Sequence, residues 1–214
     1  MSAIRSVLML CGSPKGSKGA SWKFGSYLCD GLAAAGVEVR RRSLLPESTI
    51  LEDVRAADLL LLVFPLYGDG VPARLKRTLM KIAAANVGPK SVAVLVNCGF
   101  IESRQTDPAI EICRLFTRDA GLTWRGGLGR GGGGALGDKN LAEAGRLFTK
   151  TRRSLDLAAM ALAAGQAIPA EAVTLMREDL MPRWFYFIMS NAGHFIAGAK
   201  HGIVFRMREN PFEK

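Results

Sequence analysis

The chain has 214 residues, is 49% apolar and carries a formal charge of +10. That is long enough for one α/β domain plus an extension, and too apolar for a disordered chain. Its four cysteines, at positions 11, 29, 98 and 113, match no metal spacing. With no signal pattern at the N-terminus and no run of roughly 18 apolar residues, they predict a cytoplasmic protein with reduced thiols and no membrane span.

A positive field attracts nucleic acid, acidic lipid or a phosphate-bearing cofactor. The charge is spread along the chain, and its longest basic run is Arg40-Arg41-Arg42. That run reads as a solvated strand end, so no nucleic-acid partner is expected.

The apolar run Ser6–Cys11 predicts a first strand, which breaks at Gly12 into a loop of small, hydroxyl and basic residues. A helix follows over 21–35, with Phe24, Leu28, Leu32 and Ala35 at helical spacing and Gly36 at its C-cap. A short strand covers 37–42 and a weak helix 51–57. Leu59–Phe64 is wholly apolar, as in a central parallel strand covered on both faces. A helix over 73–86 turns Leu75, Leu79 and Ile82 inward and Arg74, Lys76, Arg77 and Lys81 outward, and Gly88-Pro89 stops it. Ser91–Asn97 is the fourth strand. Pro108 opens a helix over 108–120 with Ala109, Ile112, Cys113 and Phe116 as its buried face. A fifth strand is predicted over 122–128, the glycine-rich stretch 126–137 as a loop, and a long helix from near Lys139 to Gly165.

Strands alternating with helices imply a parallel, doubly wound sheet with helices on both faces. Residues 1–165 are expected to form that domain and 166–214 a C-terminal extension. Within the extension, 170–179 suits a short helix. The run Trp184–Met189 is too apolar to remain in water. It is expected to pack on the domain or on an oligomer partner, or else to meet a membrane surface with help from Arg183, Lys200, Arg206 and Arg208.

In a doubly wound sheet, ligands bind outside the carboxyl ends of the strands, where the strand order reverses. The loops after strands 1, 3 and 4 meet there. The first offers the Ser13, Ser17 and Ser21 hydroxyls, the Lys15 and Lys18 charges, and backbone N–H groups opened by Gly16 and Gly19. That combination suits a phosphate. It lacks the Gly-Lys-Ser/Thr ending of a nucleotide triphosphatase loop and is not Gly-x-Gly-x-x-Gly. The second, Pro65-Leu66-Tyr67-Gly68-Asp69-Gly70-Val71-Pro72, holds an aromatic that can cover a flat ring. The third, Asn97-Cys98-Gly99-Phe100-Ile101-Glu102, again pairs glycine with an aromatic. Together they describe a site for a planar ring carrying a phosphate.

On these residues the chain resembles the flavodoxin-fold NAD(P)H-dependent FMN reductases and related quinone or NAD(P)H dehydrogenases. The resemblance is carried by Gly12-Ser13-Pro14-Lys15 with Ser17 and Ser21, by Pro65-Leu66-Tyr67 with Val71-Pro72 and Leu75-Lys76, and by Asn97-Cys98-Gly99-Phe100. It covers residues 4–160, and more loosely the tail at Met181-Pro182-Arg183-Trp184 through Asn191 and at Lys200-His201-Gly202. It implies a flavodoxin-like five-stranded sheet in the order 2-1-3-4-5 and FMN as cofactor. It also implies NAD(P)H as hydride donor to flavin N5, a small-molecule electron acceptor and a homodimer or tetramer. Ser13, Lys15, Ser17 and Ser21, with the Gly16 backbone, would hold the phosphate. Pro65, Leu66, Tyr67 and Gly68 would flank the isoalloxazine, and Asn97, Cys98, Gly99 and Phe100 would contact its pyrimidine side. The cysteine-rich iron–sulfur motif of one branch is absent, so no cluster is expected.

Hydride transfer requires no general acid or base, and the chain has no evident catalytic dyad. Tyr67 is a candidate proton donor to a quinone, with plain ring packing as the alternative. Cys98 and Glu102 lie near the site without a sequence signal for chemistry, and His194 and His201 read as packing or surface residues. Two further functions fit the same fold: a flavodoxin-like electron carrier, and a non-catalytic interaction protein.

Overall fold

The computed structural model describes residues 3–44, 49–88 and 90–206. Pro89, expected to help stop the third helix, and Arg208 of the tail lie outside the described residues.

Five parallel strands form one sheet: β1 (Ser6–Cys11), β2 (Glu38–Ser43), β3 (Leu59–Pro65), β4 (Ser91–Asn97) and β5 (Thr123–Arg130). Their order is β2-β1-β3-β4-β5, as the resemblance implied. Between them run α1 (Ala20–Ala34), α2 (Ile50–Ala56), α3 (Ala73–Ala84) and α4 (Asp107–Asp119), followed by α5 (Thr149–Ala163) and α6 (Ala170–Arg177).

The continuous apolar strands work because alternate side chains reach opposite faces. Met9, Leu61, Val63, Ala93 and Leu95 meet Phe24, Leu28 and Leu32 of α1 and Leu155, Ala158 and Leu162 of α5 in one core. Their neighbours Leu8, Leu10, Leu60, Leu62, Val92 and Val94 meet Val54, Leu75, Leu79, Ala109 and Cys113 in the other. Truncating a residue such as Leu61, fully buried between strands, removes about 2–5 kcal/mol.

The arginine run of β2 is not a plainly solvated strand end. Strand alternation sends Arg40 and Arg42 to Asp53 on α2 and Arg41 to Asp30 on α1, so each guanidinium has a carboxylate partner.

Further expectations are corrected. The fifth strand, expected over 122–128, is present as Thr123–Arg130, so residues 126–130, also read as the start of a glycine-rich loop, are strand. Glycine is poor in strands, but here each missing Cβ makes room for a neighbour. A Cβ on Gly127 would lie 2.6 Å from Ile110 Cγ2, and one on Gly129 would lie 2.0 Å from Thr106 Oγ1. The β4–β5 register slips at Val92/Ala93, and the carbonyl of the extra residue, Arg125, accepts the Ile168 N–H at 2.7 Å.

The long helix also starts late. Gly145, at φ 66°, separates two 3-10 turns, Leu141–Glu143 and Arg146–Phe148, and α5 begins only at Thr149. Leu141 and Phe148, expected on that helix, are buried from 3-10 turns instead. On α4, Ile112 is exposed, while Ile110 packs against the core with Ala109 and Cys113.

The first compact unit runs to Leu180, past the boundary expected at 165. The reason is α6, which packs on α5 and β5. Ser154 Oγ donates to Ala172 O at 2.6 Å, and the Arg130 side chain reaches Met176 O and Glu178 O. The second unit, from Met181, holds α7 (Arg183–Lys200), with Pro182 as its N-cap. It closes with Ile203 N–H donating to Gly198 O at 2.9 Å, ahead of a 3-10 turn at Val204–Arg206. No helix among the described residues is long and apolar enough to cross a membrane.

Candidate functional site

The carboxyl ends of β1, β3 and β4 carry the three loops singled out above. Gly12 continues the β1–β3 pairing, its N–H donating to Val63 O at 2.8 Å. The chain then coils tightly: Gly16 N–H donates to Ser13 O, Lys15 N–H to Ser13 Oγ, and a 3-10 turn covers Gly16–Lys18. Gly19 is the N-cap of α1, and no side chain caps that helix end. The N–H groups of the first turn therefore have no partner within the helix or from a capping side chain. Lys15, Ser17 and Lys18 stand exposed around them. A helix N-terminus beside two lysines is chemically suited to an anion.

Ser21 differs from the other loop hydroxyls. It is buried in the first turn of α1, and its Oγ donates to Asn97 Oδ1 at the end of β4 at 2.5 Å. The two predicted residues are thus joined to each other. Asn97 also fixes the second loop, since its carbonyl accepts the Leu66 N–H at 2.8 Å.

In the second loop Tyr67 and Gly70 exchange backbone hydrogen bonds across Gly68 and Asp69, which have φ 53° and 54°. Two central residues with positive φ make a tight turn of the mirror-image type, which suits a Gly-Asp pair. The turn leaves the Tyr67 ring half exposed. Pro65 and Leu66 are half-buried below it.

The third loop is anchored to the chain beyond β5. Cys98 N–H donates to Arg130 O, Gly133 N–H to Cys98 O and Gly132 N–H to Phe100 O. Gly99 and the Phe100 ring are exposed, while Cys98 is buried.

A cleft of about 860 Å³ opens between the first two loops. It is lined by Cys11, Gly12, Ser13, Pro14 and Gly16, by Tyr67, Gly68, Val71 and Pro72, by Ser43 and Leu44 at the end of β2, and by the first turns of α3. The volume is in the range of small-molecule and cofactor sites. Lys15, Ser17, Ser21, Pro65, Leu66, Asn97, Cys98, Gly99 and Phe100 do not line it. Arg74, Lys76 and Arg77 of α3 do. The sequence marked Arg74 and Arg77 only as part of an outward helix face, and Lys76 also through the resemblance. Their position immediately after Pro72, the N-cap of α3, was the signal that they flank the loop.

Thiol chemistry has no support at this site. Burial pushes the Cys11 and Cys98 thiols up, and pushes Cys29 to about 11 and Cys113 to about 12, so all four are neutral at pH 7. No group of three or more His, Cys, Asp or Glu among the described residues could hold a metal ion. His194 lies in the second unit, where its Nδ1 meets Ser190 O at 2.8 Å.

The buried Arg130 was not foreseen. Its Nε donates to Gly131 O at 2.7 Å, and its two terminal nitrogens donate to Met176 O at 2.8 Å and Glu178 O at 2.7 Å. Burial lowers its pKa to about 10, and it remains a cation at neutral pH. It ties the end of α6 to the end of β5, where the Arg130 carbonyl holds the Cys98 N–H of the third loop.

No family model matches the chain, and no curated protein matches it. Solved structures do match. A rubredoxin oxygen:oxidoreductase from Desulfovibrio gigas aligns with a TM-score of 0.58 at 13% identity over 77% of this chain, which spans only 36% of that one. A flavodoxin from Streptococcus pneumonia TIGR4 aligns at 0.56 and 15% identity over 75% of this chain and 98% of that one. An FMN-dependent NADH-azoreductase from Bacillus anthracis, in complex with FMN, aligns at 0.55 and 15% identity over 74% of this chain and 100% of that one. At such identities the likeness speaks to architecture, and with the strand order β2-β1-β3-β4-β5 it makes this a flavodoxin-like fold.

Proposed function

We propose that the protein is an FMN-dependent oxidoreductase that takes hydride from NADH or NADPH and passes electrons to a small acceptor such as a quinone, a flavin or another small oxidant. The observation that carries this reading is the cleft of about 860 Å³ between the Ser13–Gly16 coil and the Tyr67 turn, beside the uncapped N-terminus of α1.

The residues present fit FMN. The first-turn N–H groups of α1, with Ser13, Ser17 and Lys15, suit a phosphate dianion. Tyr67 and the rigid Gly68-Asp69 turn beneath it offer an aromatic face and fixed backbone groups to a flat ring. Bound there, FMN would supply the hydride and electron chemistry. The chain's part is to bind and orient. Exposed Tyr67 can stack on a ring without closing the cleft, which leaves room for two substrates in turn. Arg74, Lys76 and Arg77 line the same cleft and attract phosphate-bearing or otherwise anionic substrates. The neutral thiols of Cys11 and Cys98 take no nucleophilic part.

The test is an absorption spectrum of purified protein mixed with FMN, desalted, and then given NADH or NADPH without oxygen. Retained flavin colour that bleaches supports the reading. Retained colour that does not bleach with either nucleotide favours an electron carrier on the same fold. Loss of all flavin on desalting overturns the cofactor assignment.

A further inference from the structure

The unexplained surface of the molecule is α7. Projected at 100° per residue, Trp184, Phe185, Ile188, Met189, Phe195 and Ile196 fall on one stripe, and Ala192 and Ala199 complete it. The six large side chains are between 40% and 66% exposed. Tyr186, Ser190 and His194 occupy the opposite face, with the exposed Phe187 beside His194. A helix of 18 residues is about 27 Å long, and this one is not long and apolar enough to cross a membrane.

Charge distinguishes between occupants for the stripe. No Asp or Glu occurs from Leu180 to Arg208, whereas Arg183, Lys200 and Arg206 fall at the start of α7, at its end and in the turn that follows. Over 181–214 the sequence carries five Lys or Arg against Glu209 and Glu213, and a segment with that excess of positive charge repels a second copy of itself and is drawn to a negative surface. An aromatic-rich apolar stripe with cations at both ends is the pattern of a helix lying in the plane of a lipid interface.

We propose that α7 docks this protein on an anionic lipid bilayer, lying parallel to the surface with the Trp184–Ile188–Phe195 stripe among the acyl chains. Arg183, Lys200 and Arg206 meet the headgroups. The proposal does not depend on the redox reading, because it uses only the second unit.

The experiment is sedimentation of the full-length chain with vesicles of phosphatidylcholine alone or mixed with phosphatidylglycerol at three to one, alongside analytical ultracentrifugation without lipid. Three cations near the surface should strengthen partitioning onto the anionic vesicles by on the order of a hundredfold at low salt, and added salt should weaken it. Ile188→Glu should abolish binding. Ser190→Glu makes the same charge change on the opposite face and should retain most of it. Circular dichroism melts of both variants check that the fold is unchanged. A full-length chain that stays in the supernatant with anionic vesicles overturns the proposal, as does an Ile188→Glu variant that binds like the parent. A lipid-free dimer that Ile188→Glu dissociates, together with no vesicle binding, overturns it in favour of a second copy.

Discussion

Ser21 Oγ donates to Asn97 Oδ1 at 2.5 Å, joining the first turn of α1 to the end of β4 across 76 positions of sequence. Both side chains are buried, so neither has water as a substitute partner. The bond locks the phosphate-type loop against the strand that carries the third loop. Ser21→Ala would leave the Asn97 oxygen unpaired, and an orphaned buried acceptor costs about 1–3 kcal/mol. Urea denaturation of the flavin-free protein should show that loss, whereas Ser17→Ala, at an exposed position of the same loop, should leave the midpoint unchanged.

The same contrast separates folding from binding. Lys15 and Ser17 are exposed and contribute nothing to either core. Under the proposed function they contact the cofactor phosphate, and each charge-assisted hydrogen bond of that kind is worth about 1.5–3 kcal/mol. Lys15→Ala should therefore weaken FMN binding roughly tenfold or more without altering the melting temperature. Fluorescence titration of FMN measures the first and calorimetry the second. An unchanged affinity would move the phosphate away from this loop.

Gly131 lies where the chain leaving β5 passes the third loop. A Cβ there would sit 2.1 Å from Ile101 O and 2.8 Å from Ser103 N, both backbone atoms. Neither can rotate away. Gly131→Ala should destabilise at or above the upper end of the about 1–3 kcal/mol range for overpacking and should displace Phe100. Gly134→Ala, three positions later with open space around it, is the matched control and should be close to neutral.

The contrast also marks what the sequence discloses. Residues 59–64 and 91–97 announce central strands because both of their faces are covered and every position must be apolar. The loops after β1 and β3 are legible as well, since glycine, proline and hydroxyl residues follow those strands directly. β5 is legible over 122–128, but its glycine-rich end is hidden because the signal there is inverted. Thr106, Ile110 and Ile168 fill the space that strand side chains normally occupy, so a strand reads locally as a loop. Ser21 and Asn97 each stand out in their own loops, but nothing local says that they satisfy one another. The cationic rim at Arg74 and Arg77 looks like any solvated helix face until the cleft beside it is known.

Arg130 is the least foreseeable residue, because buried arginines are rare and β5 itself was cut short at its glycines. Its three donors satisfy carbonyls at Gly131, Met176 and Glu178, the last two at the C-terminal end of α6, where a cation also complements the helix dipole. Arg130→Leu should strand those carbonyls and cost about 3 kcal/mol. Hydrogen exchange should show the loss concentrated in α6 and in the Cys98–Phe100 loop. A uniform loss across β1 and β3 would mean that Arg130 supports the whole sheet and not this junction.

Acid should weaken the fold through two carboxylates at the opposite end of the chemistry. Burial of Asp53 opposes its charge, but hydrogen bonds from Arg42 and Arg40 outweigh that and hold its carboxyl below the usual carboxylate range. Burial likewise opposes the charge on Asp58, and the Arg5 and Ser6 N–H groups with the Ser6 hydroxyl outweigh it. Each group therefore has a folded pKa below its unfolded one. Their contribution is fully present above the unfolded value and is lost as pH falls through the lower folded one. Denaturant midpoints should be flat from pH 7 to about pH 5 and then decline below about pH 4. Asp58→Asn and Asp53→Asn should each start from a lower midpoint at pH 7 and decline less, so that the curves converge in acid. Parallel curves that keep their separation at pH 3 would show that the two carboxylates act through shape alone.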